Sequence, residues 1–197
     1  MPNKSLSRSS LLSFQKYSSL LAGNEAYIPF TSDYDLLETE ILTGTQASVT
    51  FSSLNSTYGA DYQHLQIRAV FYRNGGSAFA RYNGDSTSGN YRSHGLYGNG
   101  SSVYSEDFSY ARDKGMIGGS MGLSTTIPFA LVMDILDPFE TTKYTTARVL
   151  SGRATGGSEL ISHVWMNTNA LTQIELIGKA DNFRQYSRFS LYGLKAA

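Results

Sequence analysis

The side chains with the most evident chemical potential are three histidines, His64, His94 and His163, and an acidic group, Asp134, Asp137 and Glu140, around Pro138. Two carboxylates can act as acid and base on a glycosidic bond, and clustered oxygens can hold calcium. Spacing argues against both. No histidine stands at metal-motif distance from another, and zero Cys leaves no thiolate ligand, thiol nucleophile or disulfide framework. The acids lack the loop pattern of an EF-hand, and Asp beside Pro is ordinary turn chemistry at a strand end. A Ser–His–Asp triad can assemble from distant positions. In a chain this rich in serine, however, coincidence is cheap, and no nucleophile elbow is expected. Gly98-x-Gly100 reads as a turn, without the strand–helix setting of a dinucleotide site. The reading is therefore no catalytic residue, no metal ligand and no cofactor.

Aromatic residues are the other resource: fourteen Tyr and ten Phe. Most strand aromatics pack in cores or cross-strand pairs. Tyr58, Tyr62, Tyr104 and Tyr110 fall between the strongest strand patterns and are read as loop residues able to stack on sugars or fill a partner's pocket.

The elements that must position these groups are mostly strands. Leu65, Ile67, Ala69 and Phe71 alternate with His64, Gln66, Arg68 and Tyr72; Ile174 and Leu176 alternate with Gln173 and Glu175; Phe189 and Leu191 alternate with Ser190 and Tyr192. Val49 and Phe51 share a face. Further strands are expected at Leu36 to Leu42, Ala78 to Tyr82, Tyr91 to Tyr97, Phe129 to Leu136, Tyr144 to Gly152 and Leu160 to Met166. Phe129 to Met133 is apolar without alternation, as a strand covered on both sides would be. Asn74-Gly75, Asn83-Gly84 and Asn99-Gly100 are hairpin signals. Between Gly98 and Thr126 the pattern loosens. That stretch is either a long excursion or short strands through Met116-Ile117 and Ser120-Met121, the second being preferred. Eight to ten strands with Gly-bearing turns and no fixed repeat predict an all-β body, a β-sandwich or jelly-roll-like domain over residues 34–197.

Residues 1–33 read differently, as an extended N-terminal arm. Leu11, Leu12, Phe14, Tyr17, Leu20 and Leu21 punctuate a run of Ser, Gln and Lys. Leu11, Phe14 and Leu21 fall on one helical stripe, Ser9 or Ser10 can cap it, and Gly23 can end it, so a short helix is expected from Ser10 to Ala22. Burying these few side chains falls short of the entropy of ordering some thirty residues, so the arm needs a partner surface to hold one shape.

Composition narrows the partners. Sixteen basic and sixteen acidic residues cancel, which supplies no concentrated basic field for nucleic acid. No stretch is apolar and long enough to cross a membrane, and the arm's apolar run is too short for a secretory leader. Charged residues make up 16% of the chain, against roughly 25% for typical domains, and 41% are hydrophobic, enough for a core. A weakly charged surface near neutrality tolerates close packing among copies.

Several phrases, in order, resemble a family of tailed-bacteriophage virion proteins: Tyr34-Asp-Leu-Leu-Glu-Thr39, Ser48-Val-Thr-Phe-Ser-Ser53, His64-Leu-Gln-Ile-Arg68, Tyr82-Asn-Gly-Asp85, Leu96-Tyr-Gly-Asn-Gly-Ser-Ser-Val103, Asp134-Ile-Leu-Asp137, Lys143-Tyr144, Trp165-Met-Asn-Thr168 and Phe189-Ser-Leu-Tyr-Gly193. Phe14-Gln-Lys-Tyr17 and Leu20-Leu-Ala-Gly23 in the arm belong to the same likeness. Pro138-Phe139-Glu140 departs from it, where a Tyr- and Asn-containing turn would stand. The resemblance implies a non-enzymatic structural component, made in a bacterial host's cytoplasm and carried on the virion. The leading expectation is a capsid decoration, or cement, protein on the outer surface of the head. Its partners would be the major capsid protein and copies of itself, plausibly as a trimer. The runner-up is a tail- or fibre-associated, glycan-binding receptor module; a carbohydrate-active enzyme using Asp134 is the third.

Overall fold

The computed structural model describes residues 33–120, 122–179 and 181–195. The arm helix expected from Ser10 to Ala22 lies outside them. Twelve strands and one short helix make up the described body: β1 (Tyr34–Ile41), β2 (Ser48–Ser52), α1 (Leu54–Tyr58), β3 (His64–Phe71), β4 (Ala78–Tyr82), β5 (Tyr91–Gly98), β6 (Val103–Asp107), β7 (Gly115–Gly118), β8 (Phe129–Leu136), β9 (Thr145–Arg153), β10 (Gly157–Trp165), β11 (Gln173–Gly178) and β12 (Arg188–Leu194). All strand pairs are antiparallel. An eight-stranded sheet runs β1-β12-β3-β8-β9-β10-β5-β6, and a four-stranded sheet runs β2-β11-β4-β7. The body is an all-β sandwich.

Its core comes from the alternation that defines the strands. Leu65, Ile67, Ala69 and Phe71 of β3 point inward with Leu131, Met133 and Ile135 of β8, Val149 of β9 and Leu191 of β12. They meet Val49, Phe51, Ile174, Leu176, Ala80 and Tyr82 of the small sheet. Phe71 centres an aromatic group, its ring 5.2 to 5.7 Å from Phe129, Phe183 and Phe189. Edge-to-face and offset arrangements of this kind add to the area they bury.

Several expectations require correction. The run from Phe129 to Met133 is not covered on both sides: Ala130 and Val132 face outward from the large sheet while Phe129, Leu131 and Met133 face the core. Asn99-Gly100 does close the β5–β6 hairpin, with the Asn99 side-chain oxygen accepting from the amides of Ser101 and Ser102. Asn74-Gly75 and Asn83-Gly84 do not close hairpins. Each turns the chain where it crosses between sheets, β3 to β4 and β4 to β5, with positive φ at Gly75, Asn83 and Gly84. A turn signal reports local backbone geometry, and only tertiary pairing decides whether its two flanks become neighbours. The loose stretch from Gly98 to Thr126 contains β6, which periodicity missed, and β7 through Met116-Ile117; no strand forms at Ser120.

The first crossing is held by Arg73, fully buried. Its guanidinium donates to the carbonyls of Gly75, Ser77 and Asp181 at 2.7–3.1 Å. Gly178 lies so close to that guanidinium that any side chain there would strike it.

Candidate functional site

The outward face of the large sheet is where exposed apolar surface concentrates. The strand registers place Val132, Leu150, Leu160 and Leu96 directly beside one another across β8, β9, β10 and β5. They expose 36%, 61%, 55% and 54% of their surface. The row runs between Arg68 of β3 and Ser105 of β6. Alternation puts these side chains outside by geometry, because their immediate neighbours Leu131, Met133, Val149, Ile161 and Gly95 face the core.

A polar row lies two residues along each strand: Tyr192, Gln66, Asp134, Arg148, Ser162, His94 and Asp107. Gln66 donates to Asp134 at 2.6 Å, and Arg68 donates to Gln66 at 2.6 Å. The Arg68 guanidinium also stands 4.9 Å from the Tyr192 ring and 5.6 Å from the Tyr34 ring, a cation held by two aromatic faces. Two shallow grooves flank the apolar row, one of about 390 Å³ beside His94, Arg148 and Leu160, the other of about 650 Å³ beside Arg68, Val132 and Leu150.

The acidic group is dispersed. Asp134 belongs to the outward polar row. Asp137 sits in a left-handed turn after β8, where it accepts from Lys143 and from Gln63, and its carbonyl receives the Glu140 amide. Lys143, then a partly opposing burial, and then Gln63 and His64 leave the Asp137 carboxyl below its ordinary range. Asp137 and Glu140 build the turn that the sequence suggested.

The histidines also separate. His94 is exposed in the polar row, and His64 accepts from the Asp137 amide at 3.0 Å. His163 is buried, with Nδ1 3.0 Å from the Met116 carbonyl and Nε2 2.6 Å from the Tyr82 hydroxyl. Nδ1 therefore carries the proton and Tyr82 donates to Nε2. Burial pushes the imidazole pKa down to about 4, with the Met116 hydrogen bond opposing. The polar chain continues through Tyr91, whose hydroxyl receives the Tyr82 amide and donates to the Asp85 carbonyl. Burial pulls the Asp85 carboxyl upward, but donors from Trp165, Asn90 and Thr87 outweigh it and hold it at about 2. Every member of this buried network is satisfied within the fold, which makes it scaffolding.

Gly118-Gly119-Ser120-Met121-Gly122 does have G-x-S-x-G spacing, contrary to the expectation of no elbow. An elbow needs a strand turning sharply into a helix with the serine exposed at the bend. Here Ser120 follows β7 in a turn that leads on to β8, with its hydroxyl buried. The Glu159 carboxylate receives the Gly119 amide beside it. The spacing occurs without its structural setting.

Of the residues read as contacts, Leu11, Leu12, Phe14, Tyr17, Leu20 and Leu21 lie outside the described residues. Tyr58 ends α1 and Tyr62 follows it; both are half-buried, donating at 3.1 Å to Glu38 and Asp35 of β1. They clamp the edge strand, and their hydroxyls are engaged there. Tyr104 is not in a loop: it lies in β6, stacked on Tyr97 at 5.2 Å. Tyr110 is half-exposed after β6, with the Lys179 ammonium 4.7 Å from its ring centre. Sequence alone does not reveal the outward apolar row, because its four aliphatics come from four strands and only the sheet's order sets them side by side.

No protein-family model matches the chain, and a comparison with curated proteins finds no match. Among solved structures, the chain is similar to alginate lyase Aly36B (10% identity, 91% of this chain and 88% of that one, TM-score 0.35). It is also similar to exo-inulinase from Aspergillus awamori (11% identity, TM-score 0.33), covering 83% of this chain but only 29% of the inulinase. A third likeness is to basic winged bean lectin with Tn-antigen (7% identity, TM-score 0.19).

Proposed function

We propose that this protein is a structural, non-enzymatic subunit of a phage particle, a decoration protein fastened to the outside of the assembled head. The observation that carries the reading is the aliphatic row Val132–Leu150–Leu160–Leu96, exposed on the outward face of the large sheet beside a row of polar side chains. Exposed apolar surface organised in one row is characteristic of contact with protein. The ordered likeness of its sequence phrases to virion proteins supports the same reading, as does the apolar-studded arm. A subunit that binds only the assembled shell stabilises that shell by its binding free energy, and repeated copies add avidity.

Quantitative mass spectrometry of purified particles tests the location: hundreds of copies per particle are expected, and a few dozen or fewer would place the protein in the tail or a fibre. Re-binding to stripped heads tests the contacts. Deletion of residues 1–23, or the pair Leu150→Asp and Leu160→Asp, should abolish binding while the body stays folded. A glycan-binding fibre module is the second reading, favoured by the exposed Tyr104 and Tyr110 rings around β6. Glycan retention lost on Tyr104→Ala, together with low copy number, would select it. Chromogenic glycoside turnover that disappears in Asp134→Asn would instead make the protein an enzyme.

A further inference from the structure

The two sandwich sheets end in four edge strands, β1 and β6 in the large sheet, β2 and β7 in the small one. An edge strand offers unpaired amides and carbonyls to any other edge, and folds ordinarily blunt such edges with bulges, charge or burial. β7 has four residues, all buried. β2 exposes only Ser48, Thr50 and Ser52 beyond its buried Val49 and Phe51. β1 carries a bulge between Leu36 and Glu38 and three carboxylates, Asp35, Glu38 and Glu40. β6 has neither bulge nor burial, and its two carboxylates, Glu106 and Asp107, stand together at one end of the strand. It is straight over Val103–Asp107, with regular register to β5, and Val103 is 80% exposed.

The hydrogen-bond phase of β6 shows which groups are free. Phe108 donates to the Ser93 carbonyl and Asn99 to the Ser102 carbonyl, so Glu106 and Tyr104 direct their backbone groups at β5. Val103, Ser105 and Asp107 therefore present theirs to the open side. Among the described residues, the Val103 and Ser105 backbone groups have no partner there, while the Asp107 carbonyl receives the Ser109 amide.

We infer that β6 pairs antiparallel with β6 of a second copy of this chain, about a twofold axis at Ser105. In that register the two Ser105 residues exchange two hydrogen bonds, and each Asp107 amide donates to the Val103 carbonyl of the other copy. All five residues of the strand take part. Full overlap of the five-residue strand and its charges together favour this register: it sets Asp107 opposite Val103 and Glu106 opposite Tyr104, with the two Glu106 residues about 7 Å apart along the strand and the two Asp107 residues about 14 Å apart. The Asp107 spacing exceeds the screening length of roughly 10 Å in 0.1 M salt. Centring the axis on Glu106 or Asp107 would oppose like charges directly. Within each subunit Asp107 already has Arg112 at 3.5 Å, and the Tyr97 hydroxyl reaches Glu106 at 3.3 Å. The pairing also aligns the outward rows, giving Leu160–Leu96–Ser105 of one copy and Ser105–Leu96–Leu160 of the other on one continuous sixteen-stranded surface. The arrangement is a twofold pair, distinct from the trimer the phage likeness led us to expect, and it holds wherever on a particle the protein sits.

The full chain, free of other particle components, provides the test. Analytical ultracentrifugation at micromolar concentration should give a dimer. Ser105→Pro removes an amide that β5 does not use, so its thermal midpoint should stay near wild type while dimerisation weakens at least about tenfold. Val103→Lys should act the same way without altering the backbone. Because the chain has no cysteine, Ser105→Cys introduces a single thiol. Its Cα should lie about 5.5 Å from its symmetry mate, inside the roughly 4.4–6.8 Å that a disulfide spans. A covalent dimer should form on mild oxidation, whereas Thr39→Cys on β1 stays uncrosslinked. A wild-type monomer or trimer, a Ser105→Pro dimer as tight as wild type, or equal crosslinking through Thr39→Cys overturns the pairing.

Discussion

At the residue scale, His163 carries a signed pH dependence. Its pKa is about 4 in the fold against an ordinary value of 6.5, so protonation favours the unfolded chain. The contribution is fully present above pH 6.5 and is lost as pH falls from there towards 4, about 3 kcal/mol in all. Asp85 acts in a lower window: its carboxyl is held at about 2 against 3.8, so its contribution is present above pH 3.8 and is lost as pH falls through 2. Denaturant melts between pH 7 and 4.5 therefore read His163 nearly alone, and His163→Gln should flatten that slope. Tyr82→Phe removes the donor to Nε2 from a site without water access and should cost about 1–3 kcal/mol at pH 7. Gly115 faces the same imidazole at a distance that leaves no room for a methyl group, so Gly115→Ala should also lower the thermal midpoint.

At the element scale, the alternation along β9 gives a paired prediction. Val149 points into the core and Leu150 out of the sheet. Val149→Ser should cost about 2–4 kcal/mol, from lost burial and a hydroxyl among apolar neighbours. Leu150→Ser should change the stability of the isolated body by less than about 0.5 kcal/mol. Equal costs would mean that the outward row is packed within the subunit and is not free for a partner. The crossing from β3 to β4 supplies another test. Arg73→Met strands three carbonyls, those of Gly75, Ser77 and Asp181, and should cost about 3–5 kcal/mol. Arg73→Lys should recover only part of that loss, because one ammonium cannot reproduce the planar fork.

At the scale of the whole molecule, the exposed row and the unbulged β6 edge belong to one sheet, and on the proposed reading that sheet is the side on which the body meets other proteins. Its far edge, β1, is clamped by Tyr58 and Tyr62 and has a bulge. On the proposed pairing, association through the large sheet is directional, and mutations on the β6 side should perturb self-association more than equivalent ones on β1. Ultracentrifugation of Thr39→Pro beside Ser105→Pro checks that asymmetry.

Much of this was written in the chain itself. Strict alternation in residues such as Leu65–Phe71 and Phe189–Leu191 identified strands, because a period of two suits one wet and one dry face. β4 and β8 also lie at the bounds expected of them, although Phe129 to Met133 in β8 is apolar without alternation. What alternation could not decide was which strands become neighbours. The cross-strand row of Val132, Leu150, Leu160 and Leu96 joins neighbours 18, 10 and 64 positions apart, with its order set by sheet topology. It took the tertiary fold to turn Asn83-Gly84 into a crossing, to scatter Asp134 from Asp137, and to bury His163 against Tyr82. Each of those outcomes depends on partners distant in sequence, and a short window of residues carries no record of them.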